Sequence, residues 1–170
     1  MSLGSMNDLF VNELKDVYNA EKQIVRALPR MAKAASSDAL RDAFTKHLRE
    51  TEGHVRRLEQ IFKSLDLTPR GKTCKGMQGL LEEAKEILEE EGAPEVIDAA
   101  LISAAQRVEH YEMAAYGCLR TYAQLLGRDD AVELLQQTLA EEEAADEKLT
   151  ALGEGGINQA ALAVHGEEDA

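Results

Sequence analysis

Apolar residues recur along this chain at alternating spacings of three and four, the signature of helices that bury one stripe. The first run covers about residues 7–35, with Phe10, Leu14, Val17, Ile24, Leu28 and Met31 on its stripe. Pro29 is expected to bend it late in its length. "SSD" at 36–38 offers N-cap candidates for a second helix reaching Leu65, with Leu40, Phe44, Leu58, Ile61 and Leu65 on its stripe. The two read as a tight antiparallel hairpin. The segment "DLTPRGKTCKGMQG", 66–79, is dense in turn chemistry, and "LLEEAKEILEEEG" after it reads as a short amphipathic helix closed by Gly92. A third long helix is expected from Pro94 to about Leu126, with Gly127 ending it, and "RDD" at 128–130 opens a fourth carrying Val132, Leu135, Leu139, Leu149 and Leu152. Two long hairpins joined by a long crossover with a short extra helix predict an all-α, ferritin-like four-helix bundle.

Each stripe is broken near its middle. Position 21 of the first is Glu21. The second carries His47 and His54, with Glu50 beside Thr51. On the third, Glu112 is central and Glu109 lies one turn back. On the fourth, Glu142 and Asp146 face inward four residues apart, although spacing alone leaves Glu143 as a rival to Glu142. No interrupted position holds Lys or Arg. Counted from the turns near Ser36 and Gly127, Glu21, Thr51, Glu112 and Glu142 all lie 15 residues away. At ~1.5 Å per residue each hairpin carries its acids about 22 Å from its turn, so both sets can share one central layer. A buried carboxylate without compensation costs several kcal/mol or takes up a proton. With no basic partner on the stripes, a pair of cations is expected, and mixed carboxylate and imidazole donors suit iron or manganese.

Composition narrows the picture further. At 170 residues, 4% aromatic and three prolines, the chain is the size of one helical domain. We expect the bundle over 6–153, a flexible or small docking tail over 154–170, and an expression scar in the opening "MSLGSM", with Met6 as the native start. The formal charge of −13 argues against nucleic acid, and no apolar run is long enough for a membrane span. Cytoplasmic localisation is expected. Cys74 and Cys118 lack the spacing of a disulfide framework or zinc site, so free thiols are expected, with Cys118 filling core or interface space. His47 is read as either a third ligand on the second helix or, as the expected role, an interior residue one turn away that supports the ligands or is otherwise hydrogen-bonded. His110, about 160° from Glu112 on its helix, is expected at the surface or between helices. Tyr116 shares the Glu109/Glu112 face, where either packing or a hydrogen bond to a ligand carboxylate would account for it.

The stretches "LKDVYNAEKQIVRALPRMA", "HLRETEGHVRRLEQIF", "AAQRVEHYEMAAYG" and "EEEAADEKLTALG" span roughly residues 8–153. They resemble the di-iron carboxylate bundles, the ferritins, bacterioferritins and rubrerythrins, and more narrowly the YciE/YciF-like family of ferritin-like bacterial stress proteins. That resemblance implies a rubrerythrin-like dinuclear site, commonly in a homodimer, and a part in the stress response. Ferritin-like chains usually present Glu and His at i and i+3 on two helices; here Glu50 and His54 stand at i and i+4, and the matching place on the fourth helix is Asp146. The expected ligand set is Glu21, Glu50, Glu112 and Glu142 as terminal and bridging carboxylates, completed by His54, Glu109 and Asp146. It would hold two iron or manganese ions per chain, with dioxygen or peroxide as the small oxidant. The alternative is a helical stress or interaction protein with a vestigial carboxylate layer.

Overall fold

The structure, a computed structural model, describes residues 3–70 and 72–164. The remaining residues of the expected scar and tail lie outside it. Helix α1 spans Met6–Ala34 and α2 spans Asp38–Ser64. Short α3, Lys75–Glu89, occupies the crossover; α4 is Pro94–Leu125 and α5 is Asp129–Leu152. A kink at Gly156, φ +148°, within Gly153–Ile157 leads into a final α6, Asn158–Ala163. There is no strand among the described residues. The all-α four-helix bundle is therefore as expected, with α1 paired to α2, α4 to α5, and the hairpins packed through α1 on α4 and α2 on α5.

The helix ends follow local chemistry. Ser5 Oγ accepts the Asp8 N–H of α1 at 3.1 Å, and Ser37 Oγ accepts the Leu40 N–H of α2 at 3.4 Å. Pro94 occupies the first turn of α4, where its missing N–H costs nothing. Gly127 ends that helix at φ +66°, a left-handed conformation in which any side chain is strained. The α1–α2 turn is held from across the bundle. Buried Asp98 of α4 accepts from Ser36 N–H at 2.8 Å, Ser36 Oγ–H at 2.6 Å and Ser37 N–H at 2.7 Å.

The crossover departs from expectation. Helix α3 starts at Lys75, five residues before the apolar run that signalled it, because Cys74 caps it: the thiol accepts the Met77 N–H at 3.4 Å. Cys74 and Met77 are both fully buried in the bundle core. Tyr111 of α4 packs so closely over α3 that a Cβ on Gly76 would meet its ring at 2.7 Å.

The core is in two parts. Ile24, Leu28, Met31, Phe44, Leu101 and Leu149 pack in the half nearer the α1–α2 turn. Phe10, Leu14, Leu58, Phe62, Leu119 and Leu135 fill the other half. The second hairpin turn lies at that far end, where Arg128 donates to Asn7 Oδ1 at 2.8 Å. With turns at opposite ends of a bundle whose helices are roughly 40 Å long, residues about 22 Å from either turn meet at mid-height. A polar layer separates the two apolar clusters there.

Candidate metal centre

Four helices supply that layer. Glu21 comes from α1, His47 and His54 from α2, Glu109 and Glu112 from α4, and Glu142 from α5; all six are buried. The two histidines sit seven residues apart, two helical turns on one face, while Glu109 and Glu112 sit one turn apart.

Two sets of donors emerge. In the first, His54 Nδ1 lies 3.3 Å from Glu21 Oε1 and 3.0 Å from Glu142 Oε1. In the second, His47 Nε2 lies 3.3 Å from Glu109 Oε1 and 3.7 Å from Glu142 Oε2, and Glu112 completes the group. Within each set the donor atoms lie within 4.8 Å of one another. Glu142 belongs to both, one oxygen toward each, so its carboxylate spans the two sets.

The electrostatics of this layer are severe. Burial, then the neighbouring carboxylates with Glu142 foremost, drives Glu109 and Glu112 well above the usual carboxylate range. Glu21 is also raised by burial, against the pull of His54. Burial alone would lower His54, but Glu21 and Glu142 outweigh it and push the imidazole up to about 11. Glu142 is held low despite its burial, because His54 and His47 both face it. Without cations the layer must take up protons. Nine of the ten buried side-chain polar atoms left without a hydrogen bond among the described residues belong to these six residues. Natively folded cores leave few such atoms, so a concentration of them in one place calls for a ligand. Nitrogen and oxygen donors in two adjoining sets with a shared carboxylate could hold a metal ion.

A shell of hydrogen bonds orients the donors. Tyr116 donates its hydroxyl to Glu21. Glu141 accepts from Arg57 through both oxygens, at 2.7 and 2.8 Å, and stands 2.9 Å from His54 Nε2. With Nε2 so occupied, Nδ1 is left facing Glu21 and Glu142, the orienting arrangement characteristic of metal-ligating histidines. Arg57 also donates to Thr138 at 3.0 Å, which locks α2 onto α5.

The sequence-expected residues divide into two groups. Glu21, His54, Glu109, Glu112 and Glu142 are brought together. Glu50 and Asp146 are held at the edge. On α2 the inward phase runs through His47, Thr51 and His54, which turns Glu50 toward solvent. Its carboxylate meets Lys46 at 2.6 Å and His47 Nδ1 at 3.7 Å, and His47 with Lys46 holds it down at about 2. Asp146 accepts from Gln106 at 3.2 Å and lies 3.4 Å from the exposed His110. Its charge still contributes to raising Glu109.

Three features escaped the pattern. His47 enters the cluster as a full member; its signal was the seven-residue spacing from His54. Glu141 and Arg57 had no signal, since within the run of acids at 141–143 only the phase of the packed helix separates buried Glu142 from half-buried Glu141 and exposed Glu143. Cys118 is at the surface rather than in the core.

Comparison with known proteins comes to the same architecture. A family profile described as a domain of unknown function, DUF892, matches residues 5–162. The chain is 46% identical over 162 residues to the protein YciF of Escherichia coli K12, covering 95% of this chain and 98% of that one. The crystal structure of that E. coli stress protein superposes with a TM-score of 0.89, covering 92% and 99% of the two chains. YcfI from Rhodopseudomonas palustris, 44% identical, gives 0.85 over 88% of this chain and 95% of that one. A two-domain Anabaena variabilis protein with DJ-1/ThiJ/PfpI-like and ferritin-like domains matches at 0.60 and 12% identity, covering 98% of this chain and 41% of its own, a likeness of fold alone.

Proposed function

We propose that this chain, which belongs to the DUF892 family and is similar to the E. coli stress protein YciF, is a ferritin-like protein that holds two iron or manganese ions at mid-bundle. The observation that carries the reading is the concentration of nine unpartnered buried polar atoms on Glu21, His47, His54, Glu109, Glu112 and Glu142. Glu21 with His54 would hold one ion, His47 with Glu109 and Glu112 the other, and Glu142 would serve both. Glu50 and Asp146, at the edge of the layer, remain candidate ligands. When bound, such a pair supplies a centre that accepts and returns electrons to dioxygen or peroxide, in an oxidase, peroxidase or iron-handling role during stress.

The chain's own residues prepare that chemistry. Glu141 and Arg57 fix the ring of His54 so that Nδ1 faces the cluster. Tyr116 pins one oxygen of Glu21. Apolar residues above and below the layer lower the effective dielectric in which its carboxylates meet a cation. A homodimer, as the resemblance implies, belongs to the same proposal and is read by sedimentation.

The test is elemental analysis of protein purified without chelator and then offered Fe(II) or Mn(II) anaerobically, alongside a Glu21→Ala, Glu112→Ala double variant. About two ions per chain in the parent, and a large loss in a variant that keeps its helical content, support the reading. A parent that takes up no metal overturns it and leaves a helical protein acting through its surface.

A further inference from the structure

Beside the metal layer, toward the α1–α2 turn, the bundle contains a cavity of about 510 Å³. That is within the ~300–1,000 Å³ of small-molecule sites, and larger than the voids of an ordinary packed core. Its walls are side chains that a bundle would normally press together: Ile24, Leu28 and Met31 of α1, Phe44 of α2, Val108 of α4 and Leu149 of α5. The space exists because alanines stand where larger residues would close it. Ala43 of α2 and Ala144 and Ala145 of α5 line it, small side chains where larger ones would fill the space.

Two polar features bound the cavity. At its inner end lie His47 and Glu109, 5% and 2% exposed, and both ring nitrogens of His47 and one oxygen of Glu109 have no hydrogen-bond partner. At the opening stand Lys46 and Lys148 with Asp42 and Glu50. Lys46 is neutralised by Glu50 at 2.6 Å, whereas Lys148 has no carboxylate within ion-pair distance among the described residues. Asp42 also lacks an ion-pair partner among the described residues, so the mouth carries both signs, and Lys148 is the cation there free to meet an anionic head group.

We propose that this cavity binds an aliphatic carboxylate, a fatty acid of medium chain length, with the hydrocarbon along the Ile24, Leu28 and Met31 wall and the head group at Lys148. The alkyl chain finds a dry apolar lining, and the carboxylate stays at the opening, where water and the ammonium both reach it. The bound molecule lies against His47 and Glu109 and so borders the proposed metal layer. The inference goes beyond metal binding and does not rest on it, because neither the apolar walls nor Lys148 belongs to the donor sets.

The experiment is calorimetric titration of metal-free full-length protein with dodecanoate and dodecanol below micellar concentrations, repeated on Ala145→Phe, Ala43→Leu and Lys148→Gln variants checked for helical content. Saturable binding of one dodecanoate per chain is expected, weakened tenfold or more when either alanine is enlarged. Lys148→Gln should weaken dodecanoate several-fold and leave dodecanol unchanged. Absence of saturable binding to the parent overturns the proposal, as does binding that survives both enlargements. Equal affinity for acid and alcohol, insensitive to Lys148→Gln, overturns the assignment of the head group. Metal uptake by the same variants is measured separately, so loss of dodecanoate binding with metal uptake intact separates the two sites.

Discussion

Glu112 is fully buried, has neither oxygen hydrogen-bonded, and faces three other carboxylates in the same layer. A neutral amide in its place removes a proton-uptake burden from the metal-free fold. Glu112→Gln is therefore expected to match or exceed the parent in metal-free thermal stability, by up to about 1–3 kcal/mol, while losing the stabilisation that Fe(II) or Mn(II) gives. Differential scanning calorimetry with and without metal reads both halves, and a variant less stable in both conditions would contradict the account. Tyr116 behaves oppositely. Its hydroxyl is the only hydrogen-bond donor to Glu21 among the described residues, so Tyr116→Phe should cost about 1–3 kcal/mol and leave that carboxylate unpinned.

At the scale of elements, individual contacts decide how the helices are held. Asp98 accepts three hydrogen bonds at the first turn, two from backbone N–H groups that would otherwise be orphaned. Asp98→Ala should cost about 3 kcal/mol in denaturant titration, more than removal of an ordinary cap. Gly76→Ala forces Tyr111 away from α3, which breaks its 2.8 Å bond to Asp16 and its 2.9 Å contact with Cys74. A loss of about 1–3 kcal/mol is expected, with increased hydrogen exchange confined to α3. The α2–α5 clamp sets an acid limit. Burial would raise Glu141, but Arg57 and then His54 hold its carboxyl below the usual value of 4.5. A depressed folded value means the clamp's stability is present above pH 4.5 and is lost as pH falls through the folded value. Glu141→Gln should therefore be destabilised by about 1 kcal/mol at neutral pH and shallower in its acid transition, as acid titration followed by circular dichroism would show.

For the whole molecule, the bundle accepts a polar layer at mid-height and carries its stability in two apolar halves on either side. Such an arrangement is costly for the metal-free state, and under the proposed function cations would offset that cost. Native-state binding at a hundredfold excess over Kd adds ~2.7 kcal/mol per site, which for a domain of this size is a rise of several degrees in Tm. No helix among the described residues is long and apolar enough to cross a membrane, and the long α1 and α4 pack against their neighbours in the bundle. Family membership and likeness to the E. coli stress protein extend over nearly the entire chain, so the same polar layer can be sought in those relatives by superposition.

The four helices, their turns, the crossover and the mid-bundle gathering of Glu21, His54, Glu109, Glu112 and Glu142 were all legible in the chain, because helical periodicity is local and a missing apolar residue at a fixed distance from a turn reports its height as well as its face. What lay beyond the sequence depended on phase and reach across helices. The inward register of α2, set by packing of Phe44, Leu58 and Ile61, admits His47 and turns Glu50 outward. Glu141 serves His54 because the rotation of α5 brings this one carboxylate to both Arg57 and His54 of α2. The early start of α3 is owed to its own capping thiol, Cys74, which meets the hydroxyl of Tyr111 from distant α4. The cavity beside the polar layer has the least local signal of all: alanines favour helix wherever they stand, and only the approach of α2 to α5 reveals that several of them together leave a space unfilled.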